Sequence, residues 1–302
     1  MFKIIEKQSL TPNTDLMIID APEIARKAAP GQFVILRKDE TCERIPLTIA
    51  DFDREQGTVT VIFQKVGKST RELGELKSGD VIRNFVGPLG KPSTIKMYGG
   101  RVILVAGGVG IAPVYPIARA LKDAGNYVYV IMGARSADLI FWEDKMNAVC
   151  DELILCTDDG SRGRKCVVTE PLTELLEAPW ITGHVWAIGP AIMMKFCCKT
   201  VEPFDAPIDV SLDSIMVDGT GMCGACRVEV DGQMRFACVD GPEFDGSKVN
   251  WDVVLARKKV FSQEEQEAMQ VWNREHQSEH ICNLESAVRR QENRRVLPLA
   301  GD

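Results

Sequence analysis

Between Arg101 and Val201 one pattern repeats: a short apolar run, a turn, then an amphipathic stretch. RVILVA leads to VYPIARALKDAG, YVYVIM to LIFWEDKMNAV, ELILCT to a helix from Thr169 to Glu177, and HVWAIG to AIMMKFCCKTV. Strands that are apolar on both faces need cover on both faces, and a helix returning after each strand supplies it. The alternation predicts a parallel α/β sheet over residues 99–205, with the change of pattern at Gly99-Gly100.

Residues 1–98 read differently. FKIIEKQSL, TDLMIID, GQFVILRK, TVTVIFQKV and DVIRNFV are short strands separated by Pro30-Gly31, Gly57, Gly67 and Ser78-Gly79, with one short helix at Ser69 to Leu76. That spacing predicts an all-β barrel or sandwich. Residues 206–250 are rich in Gly, Asp and Cys, and Asp231-Gly232 joins RVEV to MRFACV as a hairpin turn. Residues 251–302 are charged and helix-leaning. Ser262 with Glu265 three residues on predicts a helix start, the helix running to about His276.

A net charge of -7 argues against a nucleic-acid binder held by a basic face. The longest uncharged run, between Arg101 and Arg119, is broken by glycines and prolines and is shorter than the ~20 apolar residues of a membrane span. MFKIIEKQSL lacks the apolar core of a signal peptide, so a cytoplasmic chain with no membrane partner is expected. Ten cysteines scattered over such a chain are not expected to form a disulfide framework. Cys42, Cys150, Cys156, Cys166, Cys197, Cys198 and Cys282 read as small buried hydrophobes.

Gly107-Gly108-Val109-Gly110-Ile111-Ala112-Pro113 lies between a strand and a helix, where open parallel sheets bind ligands. Glycine lets a phosphate approach the backbone there, and the helix presents amides. Pro113 stands where the dinucleotide fingerprint has its third glycine, and the second strand runs into Gly133-Ala134-Arg135 without a ribose-binding acid. On this motif alone, a turn that only packs a helix is an equal reading. Asp158-Asp159-Gly160-Ser161 and Gly189-Pro190 fall at the same predicted edge, which favours a nucleotide crevice. The following pair, Met193-Met194, reads as core.

Asp218 precedes Cys223 by five residues, Cys226 completes a Cys-x2-Cys, and Cys238 lies twelve residues on. Three thiolates want a fourth ligand. Asp218 occupies the first position of the Cys-x4-Cys-x2-Cys pattern that holds a 2Fe–2S cluster. A structural zinc site is the chemical alternative. A redox dithiol would want a βαβ turn, and here the local pattern is a hairpin.

These residues resemble the electron-transfer subunits of the ferredoxin-reductase superfamily: a β-barrel FAD domain, an α/β nucleotide domain and a small C-terminal iron–sulfur segment. The resemblance covers residues 1 to about 250 and includes two branches. One is the dihydroorotate dehydrogenase electron-transfer subunit. The other is the small subunit of NADH-dependent ferredoxin:NADP+ oxidoreductase, also described as a sulfide dehydrogenase subunit, and Asp218 is similar to this branch. The resemblance implies an FAD-binding domain at 1–98, an NAD(H)-binding domain at 99–205, a cluster-binding segment at 206–250 and a C-terminal extension at 251–302.

Further residues carry implied roles. Pro30 to Val34 resembles the strand that opens the flavin site. Arg44, Pro46, Leu47 and Thr48 resemble the flavin stretch, with Thr48 beside the ring's N5 edge and Leu47 where an aromatic often stacks. Gly67, Ser69 and Thr70 resemble the pyrophosphate segment. Gly107, Gly108, Gly110, Asp158, Asp159, Gly160, Gly189 and Pro190 resemble the nicotinamide-nucleotide side, Ile188 replacing the usual cysteine. Asp218, Cys223, Cys226 and Cys238 would hold the cluster.

The implied activity is electron transfer between NAD(H), FAD and the cluster, with no Ser-His-Asp arrangement among the three histidines. A larger flavin and iron–sulfur partner subunit is expected, in an electron-bifurcating heterodimer. The extension, ending in Arg289, Arg290, Arg294 and Arg295, is either its docking arm or a solvated helix. The alternative from another class is a non-catalytic zinc-containing interaction protein.

Overall fold

The structure, a computed structural model, describes residues 1–276. The chain divides into a unit of Met1–Lys258 and a second beginning at Lys259. The predicted arginines of the docking arm and Cys282 lie outside the described residues.

The N-terminal strands are β1 (Phe2–Thr11), β2 (Thr14–Asp20), β3 (Phe33–Arg37), β4 (Ile45–Asp53), β5 (Thr58–Gln64), β6 (Val81–Ile82) and β7 (Asn84–Leu89). Helix α1 (Pro22–Lys27) follows β2, and α2 (Lys68–Gly74) follows β5. All pairings are antiparallel, in the order β6-β1-β2-β5-β4-β3-β7. The two edge strands are consecutive in the chain, separated by Arg83 alone, so the sheet curls round and nearly closes as a barrel. Its interior packs Met17, Ile19, Val34, Leu36, Val59, Val61 and Phe63. β4 replaces what sequence patterning left as a motif without a strand. Pro46 is accommodated because its missing N–H removes only one ladder bond.

The α/β part holds β8 (Arg101–Gly107), α3 (Ile111–Asp123), β9 (Val128–Ala134), α4 (Glu143–Asn147), β10 (Glu152–Thr157), β11 (Arg164–Lys165), α5 (Thr169–Glu177), β12 (Thr182–Ile188) and α6 (Ala191–Val201). The expected helix over 139–149 is shorter. Trp142 takes a left-handed conformation (φ 59°) and stacks its ring edge on Tyr115, so only Glu143–Asn147 is helical. The sheet also continues past residue 205. β13 (Ile208–Ser211) adds in parallel to β12, and β16 (Glu243–Asp245) closes the edge antiparallel. Between them lie β14 (Arg227–Val230), β15 (Gln233–Phe236) and α7 (Ala237–Asp240), with α8 (Trp251–Arg257) after β16.

The sheet order is β11-β10-β9-β8-β12-β13-β16, so the chain reverses direction of growth between β8 and β12. Alternate residues of β8 enter different cores. Val102, Leu104 and Ala106 pack with α3 and with Leu16, Ala50 and Ile62 of the barrel. Ile103 and Val105 pack with α5, α6 and residues of the 206–250 segment. The barrel thus rests against the face that carries α3. No helix among the described residues is long and apolar enough to cross a membrane. In the second unit, residues 262–276 are helical, and Glu265 N–H donates to Phe261 O, so the first turn starts on residue 261 and not on a Ser262 cap.

Candidate functional site

The point where strand order reverses is where open α/β sheets bind ligands, outside the carboxyl ends of the strands. Here that point is flanked by Gly107–Gly110 after β8 and by Gly189-Pro190 after β12. The glycines divide by role. A Cβ on Gly110 would fall 2.1 Å from Ile188 O, and one on Gly189 would fall 2.9 Å from Gly107 O, so these two let the loops touch backbone to backbone. Gly108 (φ +56°) faces open space and leaves its backbone approachable. The packing reading therefore holds at Gly110 and Gly189, while Gly108 leaves room for a ligand. Met194 is fully buried, as expected of core, but Met193 is not core alone: its Sδ would meet a Cβ on Gly107 at 2.3 Å, which places it against the turn.

Asp158 and Asp159 are exposed, two strands further out along the same edge. Their amides donate to Ala134 O and Arg135 O at 3.1 and 3.2 Å, which ties this loop to the end of β9. Beside it, Phe141, Trp142, Lys145 and Arg162 line an open cleft of about 560 Å³. Sequence reasoning assigned residues 139–149 to a helix and so missed this cleft.

On the barrel, Pro46, Leu47 and Thr48 lie half-buried on β4, with Thr48 opposite Phe33 and Leu47 opposite Val34. Arg44 is exposed, just before the strand. Ala50, further along β4, packs with Ile111 and Ala112 at the start of α3, so β4 and the Gly107–Gly110 turn share one side of the molecule. Asp51 seals that contact, accepting from Arg119 Nη1 at 2.8 Å and Lys145 Nζ at 2.7 Å. Gly67 opens α2. Thr70 Oγ1 accepts from Gly67 N–H at 3.1 Å, which fixes the turn internally, while Ser69 Oγ donates to Glu43.

The cysteine loop is irregular from Leu212 to Cys226, with Gly219, Gly221 and Gly224 all at positive φ. Such turns aim consecutive amides into one concavity. A Cβ on Gly219 would meet Ile35 and Leu89 at 2.7 Å, so the loop is seated on β3 and β7 of the barrel. Asp231 and Gly232 (φ 55° and 66°) make the expected hairpin turn between β14 and β15.

Cys226 and Cys238 are buried with their Sγ atoms 3.2 Å apart, and the Gly221 backbone hydrogen-bonds toward Cys238. Asp218 Oδ1 accepts from Thr220 N–H and Oδ2 from Cys223 N–H, both at 2.8 Å. Those amides hold its carboxyl below the usual carboxylate range. Cys223 is exposed. The four predicted ligands are thus brought together as two pairs, and among the described residues no three such side chains converge on one metal position. The donor set still fits an iron–sulfur centre better than a simple fold element. It combines three thiols, an ionised carboxylate and a glycine loop whose Gly221 backbone faces the Cys238 sulfur.

Two family models match the chain. The oxidoreductase NAD-binding domain matches residues 104–199, and the iron-sulfur cluster binding domain of dihydroorotate dehydrogenase B matches residues 213–250. A dihydroorotate dehydrogenase B (NAD(+)) electron transfer subunit homolog of Thermotoga maritima is 49% identical over 263 residues, covering 87% of this chain and 92% of its own. The dihydroorotate dehydrogenase B (NAD(+)) electron transfer subunit of Desulforamulus reducens is 36% identical over 258 residues, covering 83% and 97%. Among solved structures, a chain of an NADH-dependent reduced ferredoxin-NADP oxidoreductase, studied for flavin-based electron bifurcation, superposes with a TM-score of 0.85. It is 46% identical, over 90% of this chain and 98% of that one.

Proposed function

We propose that this chain, which belongs to the family of dihydroorotate dehydrogenase B electron-transfer subunits and their homologues, is an NAD(H)-linked electron-transfer subunit that works with a larger flavin and iron–sulfur partner. One observation carries the reading. β4, with the flavin stretch Pro46 to Thr48, packs against the start of α3 beside Gly107–Gly110, and the Asp218–Cys226 loop is seated on β3 and β7 of the same barrel. The three segments this reading assigns to flavin, nicotinamide nucleotide and cluster thus adjoin one barrel.

When bound, FAD accepts a hydride from the nicotinamide and a 2Fe–2S cluster accepts electrons singly. The chain's own residues orient and enclose these groups. Thr48 and Leu47 would hold the flavin ring against β4, with Arg44 in the same stretch, and Gly67, Ser69 and Thr70 would bind its pyrophosphate. Gly108 would admit the nicotinamide nucleotide while Gly107 and Gly110 hold the turn, Gly189 and Pro190 would bound it from the far side, and Asp158, Asp159 and Gly160 would border its outer end. Asp218, Cys223, Cys226 and Cys238 would be the residues that hold the cluster. The 46% identity to the bifurcating oxidoreductase chain, against 36% to the Desulforamulus reducens dihydroorotate dehydrogenase B subunit, together with Asp218 in the first ligand position, supports an NADH-dependent ferredoxin:NADP+ oxidoreductase over the dihydroorotate branch. On this reading the chain works in the cytoplasm, where NAD(H) is available to it.

An anaerobic visible spectrum with iron, zinc and flavin assays tests the proposal. Flavin bands, about two irons per chain and bleaching on addition of NADH are expected. Zinc without flavin would overturn electron transfer and leave an interaction protein.

A further inference from the structure

Two cysteines outside the cluster loop face each other. Cys156, near the end of β10, is fully buried, and Cys166, just after β11, is half-buried. β11 lies parallel to β10 with Arg164 opposite Cys156. Neighbouring strands run about 4.8 Å apart and each residue advances about 3.3 Å, so an extended chain would carry residue 166 away from Cys156. A tight turn prevents that: Cys166 N–H donates to Arg164 O at 3.1 Å and folds the chain back. The Cys166 Sγ thereby comes to 3.2 Å from the Cys156 Sγ. A small movement of a two-residue strand would close a bond of about 2.05 Å.

The pair stands at the base of the loop that carries Asp158, Asp159 and Gly160. That loop recrosses β10 at Gly163 (φ +66°), where a Cβ would fall 2.3 Å from Leu155 O. Thr157 Oγ1 donates to Arg162 O at 2.8 Å, and Ser161 Oγ accepts from Ala137 N–H at 2.7 Å. Arg162 pairs with Glu143 at 2.6 Å on the wall of the cleft. A covalent tie between residues 156 and 166 would therefore fix both ends of the loop and set the position of Arg162.

We propose that Cys156 and Cys166 are a redox-responsive dithiol, which a low-molecular-weight disulfide converts to an intramolecular bridge that stiffens the 157–165 loop and weakens NAD(H) binding. The affinity clause rests on the nucleotide reading given above; formation of the bridge does not. Cys166, the accessible partner, attacks one reagent sulfur as its thiolate and releases one thiol. The Cys156 sulfur then attacks the mixed disulfide at Cys166 and releases the second. Two protein thiols are oxidised to one disulfide, one reagent disulfide is reduced to two thiols, and the two protein protons leave on them. Burial, with the hydrogen bond to Cys166 adding to it, pushes the Cys156 thiol up to about 12, consistent with its acting second.

The test uses the holoprotein under anaerobic conditions, with oxidised glutathione as the probe, followed by alkylation and peptide mass mapping. A bridge between residues 156 and 166 is expected, with the iron–sulfur spectrum retained and with reversal by dithiothreitol. The Kd for NADH should rise at least threefold on oxidation, and Cys166→Ser and Cys156→Ala should each abolish both effects. Both thiols alkylated after oxidant would overturn the dithiol. A bridge that leaves the NADH Kd unchanged would overturn the control of binding. A reduced protein that binds no NADH would instead overturn the nucleotide reading, with the mapping still deciding the bridge.

Discussion

Replacing Asp51 with asparagine isolates what holds the barrel to the nucleotide sheet. Its side chain is 17% exposed and accepts from Arg119 on α3 and Lys145 on α4, at 2.8 and 2.7 Å. The Lys145 ammonium also lies 4.3 and 4.1 Å from the ring centres of Tyr115 and Trp142. A hydrogen bond between charged groups contributes about 1.5–3 kcal/mol when enclosed. Arg119 and Lys145 are 32% and 36% exposed, so water screens both and lets both turn outward once the carboxylate is gone. That discount leaves about 1 kcal/mol for each arm, or about 2 kcal/mol for the substitution. In a domain pair of this size the melting temperature should fall by roughly 4–8 °C. Melting is measured at low and high salt, with Arg119→Gln closing a double-mutant cycle whose coupling should be about 1 kcal/mol. Flavin reduction by NADH, followed by stopped flow, should slow while bound flavin stays unchanged, because registration and not flavin affinity has been lost. A melt within about 1 °C of the parent, with no coupling in the cycle, would refute the reasoning.

Three further outcomes are expected. Ser93 Oγ donates to Glu243 at 2.5 Å, and desolvation, with the Asp209 carboxylate adding to it, pushes the Glu243 carboxyl up to about 7 from 4.5. The folded state then keeps a proton that the unfolded chain has lost. Stability should fall as pH rises from about 4.5 to about 7, by on the order of 3 kcal/mol, and level off above; a pH series of melts that Glu243→Gln does not flatten counts against this. Gly110→Ala should cost about 1–3 kcal/mol through its clash with Ile188 O, while Gly108→Ala, which meets open space, should cost only about 1–2 kcal/mol of left-handed strain but should weaken nucleotide binding more. Equal effects of the two on binding would remove the distinction. Asp218→Ala should lose iron and Asp218→Cys should retain it with a shifted spectrum; full iron and an unchanged spectrum in the alanine variant would make Asp218 a loop cap alone.

Patterning located the barrel and the sheet because both rest on alternation: RVILVA divides between two cores, and β2 and β5 expose alternate faces to different neighbours. It failed where a single residue overrode the period. Trp142 at positive φ cut a helix that residues 139–149 favour by composition, and the cleft beside it went unseen. β13 and β16 were hidden because each is too short to carry a period and takes its identity from neighbours far along the chain. The candidate site residues stand out as motifs, since glycines and cysteines at fixed spacing carry meaning without tertiary contacts. What spacing could not give was the division of labour between Gly108 and Gly110, or Asp51 as the tie between barrel and sheet. Both depend on what lies across from them.

The placement of β13 and β16 bears on how the molecule comes together. The cysteine loop, its hairpin and α7 form an excursion that leaves the nucleotide sheet after Ser211 and returns to it at Glu243. Closing that excursion costs chain entropy that the Val210–Phe244 and Ser211–Glu243 pairings must offset. An excised fragment beginning at residue 213 would lack β13 and have no rail to close on. The hairpin and α7 are thus tied to the sheet at both ends, so the pairing of β16 with β13 sets where Cys226 and Cys238 sit relative to the nucleotide sheet. Loss of that pairing would therefore loosen the cysteine segment without touching any of its cysteines.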